Sequence, residues 1–143
     1  MTLQDQIKVY LDNQDEAKRA DMFTLHQLIL QVLPEGKLWF LDGRDHTGKV
    51  VTNPNIGYGH FTNHYKDGST KEFYQLGISG NTTGISVYIM GLKDKTYLPQ
   101  TFGSTIGKAS VTGYCIKFKR LKDINLTILE EALRAGVAQT SSL

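Results

Sequence analysis

The hydrophobic period of this chain changes twice along its length, and that switch limits the folds open to it. Up to Pro34 apolar residues recur at three- and four-residue steps; from Lys37 to Lys119 most runs are short, alternate every second position and end at turn residues; beyond Asn125 the helical spacing returns. Helices at both ends and antiparallel strands between them predict an α+β, two-layer sandwich. In it the N-terminal and C-terminal helices pack on one face of an antiparallel sheet, and the other face is free to bind something. At 143 residues, residues 1–143 read as a single domain, long enough to bury a core without disulfides or a structural metal.

Thr2 is placed to cap a first helix carrying Leu3, Ile7, Tyr10 and Leu11. Asp15 and Glu16 sit where the dipole of a second helix favours anions; Met22, Leu25, Leu28, Ile29 and Val32 form its stripe, and Pro34 ends it. Strands are expected at 37–41, at 56–65 and at 73–78, the last two joined by the Asp-Gly turn in 66–69. A second turn at 79–82 leads to Ile85, Val87 and Ile89 alternating with Ser86, Tyr88 and Met90. Residues 91–107, interrupted by Pro99 and Gly103, read as irregular, and 113–119 as a final amphipathic strand. Asn125 caps the last helix, Ile124 and Leu129 are placed as a hydrophobic staple, Gly136 is placed to stop the helix, and 137–143 reads as a frayed tail.

A net charge of +2 is too small to drive phosphate binding through counterion release, so nucleic acid is not an expected partner. No apolar run approaches the roughly 20 residues of a membrane span, and the start of the chain does not resemble a signal peptide. With one cysteine, Cys115, no internal disulfide can form, and the expectation is a cytoplasmic protein. A homodimer is compatible with these residues but not called for by them, and no cofactor is specified.

Several motifs invite a functional reading. Gly43-Arg44-Asp45-His46-Thr47-Gly48-Lys49 has P-loop spacing, but Val50 replaces the magnesium-binding Ser or Thr, and a polar strand connection is the plainer reading. Asp42, Asp45 and His46 could begin a metal site on one loop, although Asp is frequent in loops for turn-forming reasons. His60 and His64 would suit chelation on a helix; on a strand, four steps of about 3.3 Å hold them about 13 Å apart. Cys115 could be a nucleophile activated by Lys117 or His60, against the simpler reading of an inert buried thiol. The broadest group is Trp39, Tyr58, Tyr74, Tyr88 and Tyr114, one from each of five expected strands, with Lys108, Lys117 and His60 as polar members. Aromatic walls with a few polar groups suit a pocket for a small anionic or polar ligand, with Gly57 and Gly59 admitting it to the backbone; the same rings would equally pack a core. Lys108, Lys117, Lys119, Arg120 and Lys122 read either as an anion site or as a solvated face.

The segments Asn53-Pro54-Asn55-Ile56-Gly57-Tyr58-Gly59, Ile106-Gly107-Lys108, and Cys115-Ile116-Lys117-Phe118-Lys119-Arg120-Leu121 followed by Lys122-Asp123-Ile124-Asn125-Leu126 resemble, in order and spacing, the YdhG-like domain family. This group of small proteins is classed as a domain of unknown function, and the resemblance spans nearly the whole chain. It implies a two-layer α+β fold and no particular activity. Some members are described as iron chaperones with a frataxin-like fold, so the resemblance also implies iron handling as an alternative. A ridge of carboxylates is hard to draw from a chain with 16 bases and 14 acids. The function expected is therefore non-catalytic binding of a small molecule, an anion or a partner, with iron delivery second and a small enzyme third.

Overall fold

The computed structural model describes residues 1–143. Helices α1 (Leu3–Asp12) and α2 (Glu16–Val32) come first, then strands β1 (Leu38–Leu41), β2 (Asn55–Tyr58), β3 (Phe61–His64), β4 (Thr70–Phe73), β5 (Leu76–Asn81) and β6 (Gly84–Ile89). Helix α3 (Tyr97–Phe102), strands β7 (Ser110–Val111) and β8 (Cys115–Phe118), a short 3-10 turn and helix α4 (Leu126–Thr140) complete the chain. Six strands form an antiparallel sheet in the order β1-β2-β5-β6-β8-β7, and β3 and β4 form a separate hairpin. The architecture is the expected α+β arrangement.

Local chemistry sets the helix ends. The Thr2 hydroxyl accepts from the Asp5 amide while the Asp5 carboxylate accepts from the Thr2 amide, a reciprocal capping box. Asp15 and Asn125 cap α2 and α4 through the amides of Lys18 and Ile128. One face of the sheet, carrying Ile56, Tyr58, Leu76, Ile78, Ile85, Val87, Ile89, Ile116 and Phe118, is buried in a single core with Ile7, Leu11, Met22, Leu25, Ile29, Leu129 and Leu133 from the helices. Asp21 on α2 accepts from Arg120 Nε at 2.8 Å and from the Leu121 amide at 3.1 Å, tying the segment after β8 to the helical layer. No helix is long and apolar enough to cross a membrane.

Six expectations are corrected. The 56–65 strand is two strands, because Gly59 takes φ +76 and turns the chain out of the main sheet into the hairpin. The 73–78 strand divides likewise: β4 ends at Phe73, and β5 belongs to the main sheet and runs on to Asn81, which moves the next turn to 82–83. Residues 97–102 within the supposedly irregular segment form α3, with Leu98 and Phe102 buried. Gly136 does not stop α4. It is buried where the helix meets β6, so close that an added Cβ would lie 2.4 Å from Ile89 Cγ2. The helix runs on to Thr140, which is fully buried, accepts from Gln75 Nε2 at 2.9 Å and donates to the Gly136 carbonyl, so the first part of the supposed frayed tail is helix anchored to the core through Thr140.

Candidate functional site

The register of the sheet decides which of the singled-out aromatics can meet. Trp39 pairs with Gly57, Gly57 with Gly77, Gly77 with Tyr88, and Tyr88 with Cys115, so these five residues form one row across the face opposite the helices. The Tyr74 ring lies over the two glycines: a Cβ on Gly57 would come 2.2 Å from its Cδ2, and one on Gly77 2.6 Å from its Cε1. Its hydroxyl donates to Asn55 Oδ1 at 3.0 Å, and its ring stacks on Phe73 with centroids 4.1 Å apart and meets Trp39 edge-on. The outer face is therefore partly roofed by its own chain rather than free. Burial pushes the Tyr74 hydroxyl well above the ordinary tyrosine range and pushes Tyr88 up as well.

The proposed aromatic pocket does not assemble as a whole. Trp39, Tyr74 and Tyr88 share the outer face, with Lys117 exposed two residues beyond Cys115 on the same face. Tyr58 has the opposite parity and is buried against α2, where its hydroxyl lies 2.7 Å from His26 Nδ1. Tyr114 is half exposed just before β8, and Lys108 is exposed beside the bridge between Gly107 and Ile124. Cys115 is buried; desolvation raises its thiol pKa, and the nearby Lys117 charge and a Ser86 hydrogen bond only partly oppose this. A thiol held protonated is a poor nucleophile.

The loop candidates are occupied with turn geometry. Asp42 accepts from the Arg44 amide, and Asp45 accepts from the amides of Thr47 and Lys49 and from the Thr47 hydroxyl, while His46 is exposed. No cluster of three His, Cys, Asp or Glu residues forms a cation site anywhere in the chain, so Asp42, Asp45 and His46 do not converge on a metal. The P-loop-like stretch closes a turn between Arg44 and Val50 and leads into β2 instead of a helix.

Two polar clefts flank the hairpin. One, of about 620 Å³, contains Lys37, His60 and Glu72. Its charges largely answer one another: Glu72 lies 3.7 Å from both Lys37 Nζ and His60 Nε2, and the lysine sits 4.3 Å above the Trp39 ring. The other, of about 590 Å³, lies between the hairpin and residues 90–95. Phe61, Phe73, Met90 and Leu92 give it an apolar lining, and His64, Lys93 and Lys95 give it positive or ionisable groups; no Asp or Glu lines it. Gly91, at φ +87, lets this segment approach closely, since a Cβ there would lie 3.0 Å from the Phe61 ring. The side chains of Lys93 and His64 make no hydrogen bond or ion pair within the protein, and Lys95 Nζ donates to the Leu92 carbonyl. The neighbouring Asp94 is committed to Thr96, whose amide and hydroxyl both donate to it. Sequence reasoning did not single out Lys93 and Lys95. The signal was the Lys93-Asp94-Lys95 run that follows Gly91-Leu92.

His26 has a consequence for stability. Burial lowers its pKa from the model-compound value of 6.5, so the folded protein prefers the neutral ring. As pH falls from about 6.5 toward the lower folded value, the unfolded chain binds the proton more readily, and this share of stability is lost. Urea titrations at pH 7 and pH 5 should show a larger acid-induced loss for the native protein than for His26→Gln. An equal loss in both would contradict the assignment.

Comparison with protein-family models, with curated proteins and with solved structures finds no match to this chain.

Proposed function

We propose that this domain is a non-catalytic binding protein for a small organic anion, held in the cleft between the β3–β4 hairpin and residues 90–95. The reading rests on one observation: Lys93, Lys95 and His64 surround an apolar lining of Phe61, Phe73, Met90 and Leu92, with no Asp or Glu among them. An apolar bed with a few charged groups at its edge suits a flat, hydrophobic ligand bearing a carboxylate, sulfonate or phosphate. The cleft's size lies within the usual 300–1,000 Å³ of small-molecule sites. In this reading the ligand sits beside Phe73, which stacks on Tyr74, and away from Tyr58, Tyr114 and Lys108. The proposal keeps the YdhG-like resemblance, a cytoplasmic home and the absence of catalysis as its setting.

Thermal unfolding with naphthalene-2-carboxylate tests it, with the uncharged carboxamide as control. A ligand bound only by the native state adds about 2.7 kcal/mol at a hundredfold excess over its Kd, so the carboxylate should raise Tm and the amide should not. Lys93→Gln should weaken the effect roughly ten- to hundredfold, the value of one charge-assisted contact, while Lys117→Gln leaves it unchanged. Equal shifts with acid and amide, or a shift with ferrous iron alone, would replace this reading.

A further inference from the structure

We infer that the groove between α1, α2 and β1 is a second binding site, for a neutral small molecule with an apolar body and one hydrogen-bond acceptor, which His26 Nε2–H recognises. This site is separate from the anion cleft and does not depend on it.

The groove has a volume of about 510 Å³, and Ile7, Leu11, Phe23, Leu30 and Leu38 supply its apolar lining. Phe23 remains half exposed, although its neighbours Met22 and Leu25 on α2 are buried. His26 is the polar group set among these residues. Gln4, Lys8 and Asp12 also border the groove, and Lys8 and Asp12 neutralise each other through a 2.7 Å ion pair. The site thus carries little net charge, in contrast to the cleft beside the hairpin.

Hydrogen-bond accounting assigns the proton on His26. The buried Tyr58 hydroxyl has one partner, His26 Nδ1 at 2.7 Å. If Nδ1 carried the proton, the tyrosine oxygen would accept it and the hydroxyl hydrogen would be left without an acceptor inside the core, at a cost of about 1–3 kcal/mol. Tyr58 therefore donates, Nδ1 accepts, and the neutral ring carries its proton on Nε2. That nitrogen has no partner in the protein, and the ring lines the groove. A single fixed donor among apolar walls orients a ligand carbonyl or ether oxygen. Tyr58 acts here as a positioning residue, setting the tautomer from beneath.

The test uses the native protein with benzophenone and its acceptor-free analogue diphenylmethane, followed by amide and histidine side-chain ¹⁵N NMR. The expected result is an Nε2–H tautomer for His26 without ligand, and saturable shifts at Phe23, His26 and Leu30 with benzophenone. Diphenylmethane should bind at least several-fold more weakly, and Phe23→Glu, a change at an exposed position, should abolish the shifts. An Nδ1–H tautomer, equal binding of the two probes, shifts confined to the 90–95 cleft, or no shifts up to the solubility limit of benzophenone would each overturn the inference.

Discussion

Gly57→Ala is expected to destabilise the domain by about 1–3 kcal/mol, the usual range for an extra methyl group forced into a packed site. The backbone at Gly57 is not in the left-handed region, so the effect is one of space: the added Cβ would meet the Tyr74 ring at 2.2 Å. The ring cannot easily retreat, because its hydroxyl is tied to Asn55 and its other neighbours are Phe73 and Trp39. In a Tyr74→Ala background the same substitution should be neutral or stabilising by up to about 1 kcal/mol, since glycine in a strand carries an entropic penalty and the obstruction is gone. Urea denaturation of the four proteins in this cycle measures the coupling. An equal cost of Gly57→Ala in both backgrounds would mean that Tyr74 does not cover the outer face.

Leu129→Ala should cost about 2–5 kcal/mol and Leu126→Ala less than about 1 kcal/mol. Both residues lie in the first turns of α4, three positions apart, but Leu129 is fully buried and Leu126 is 39% exposed. The pair holds chemistry and helix constant and varies only the face. Equal losses on chemical denaturation would mean that α4 is rotated from the position described. A small effect at both would mean that the C-terminal helix is peripheral.

The parts of the fold written as a repeating period were legible in the sequence. The stripes of α1 and α2 and the alternation of β6 bury Ile7, Leu11, Met22, Leu25, Leu28, Ile29, Ile85, Val87 and Ile89 as expected, because one period maps each side chain to one face, while Leu3 at the start of α1 stays exposed. What escaped depends on contacts distant in sequence. Ile56 to Tyr65 has uniform strand chemistry, and its division at Gly59 is held by the Trp39 indole donating to the Gly59 carbonyl. Gly136 has the local signature of a helix stop, yet it is a close-packing glycine, a distinction made by Ile89 on another element. The aromatic pocket misread Tyr58 by one register position: Trp39 faces Gly57, so Tyr58 must point to the helices. The cleft beside the hairpin was hidden for a related reason. Its two lysines and its aromatic lining come from segments 20 to 34 positions apart, and only the hairpin fold brings them together.

The most direct measurement is the set of backbone amide shifts in a ¹⁵N-labelled sample titrated with naphthalene-2-carboxylate. Saturable changes at Thr62, His64, Phe73, Gly91 and Lys93, absent with the carboxamide, are the result expected of an anion site beside the hairpin. Changes centred on Trp39, Tyr88 and Lys117, or none at millimolar ligand, would contradict it.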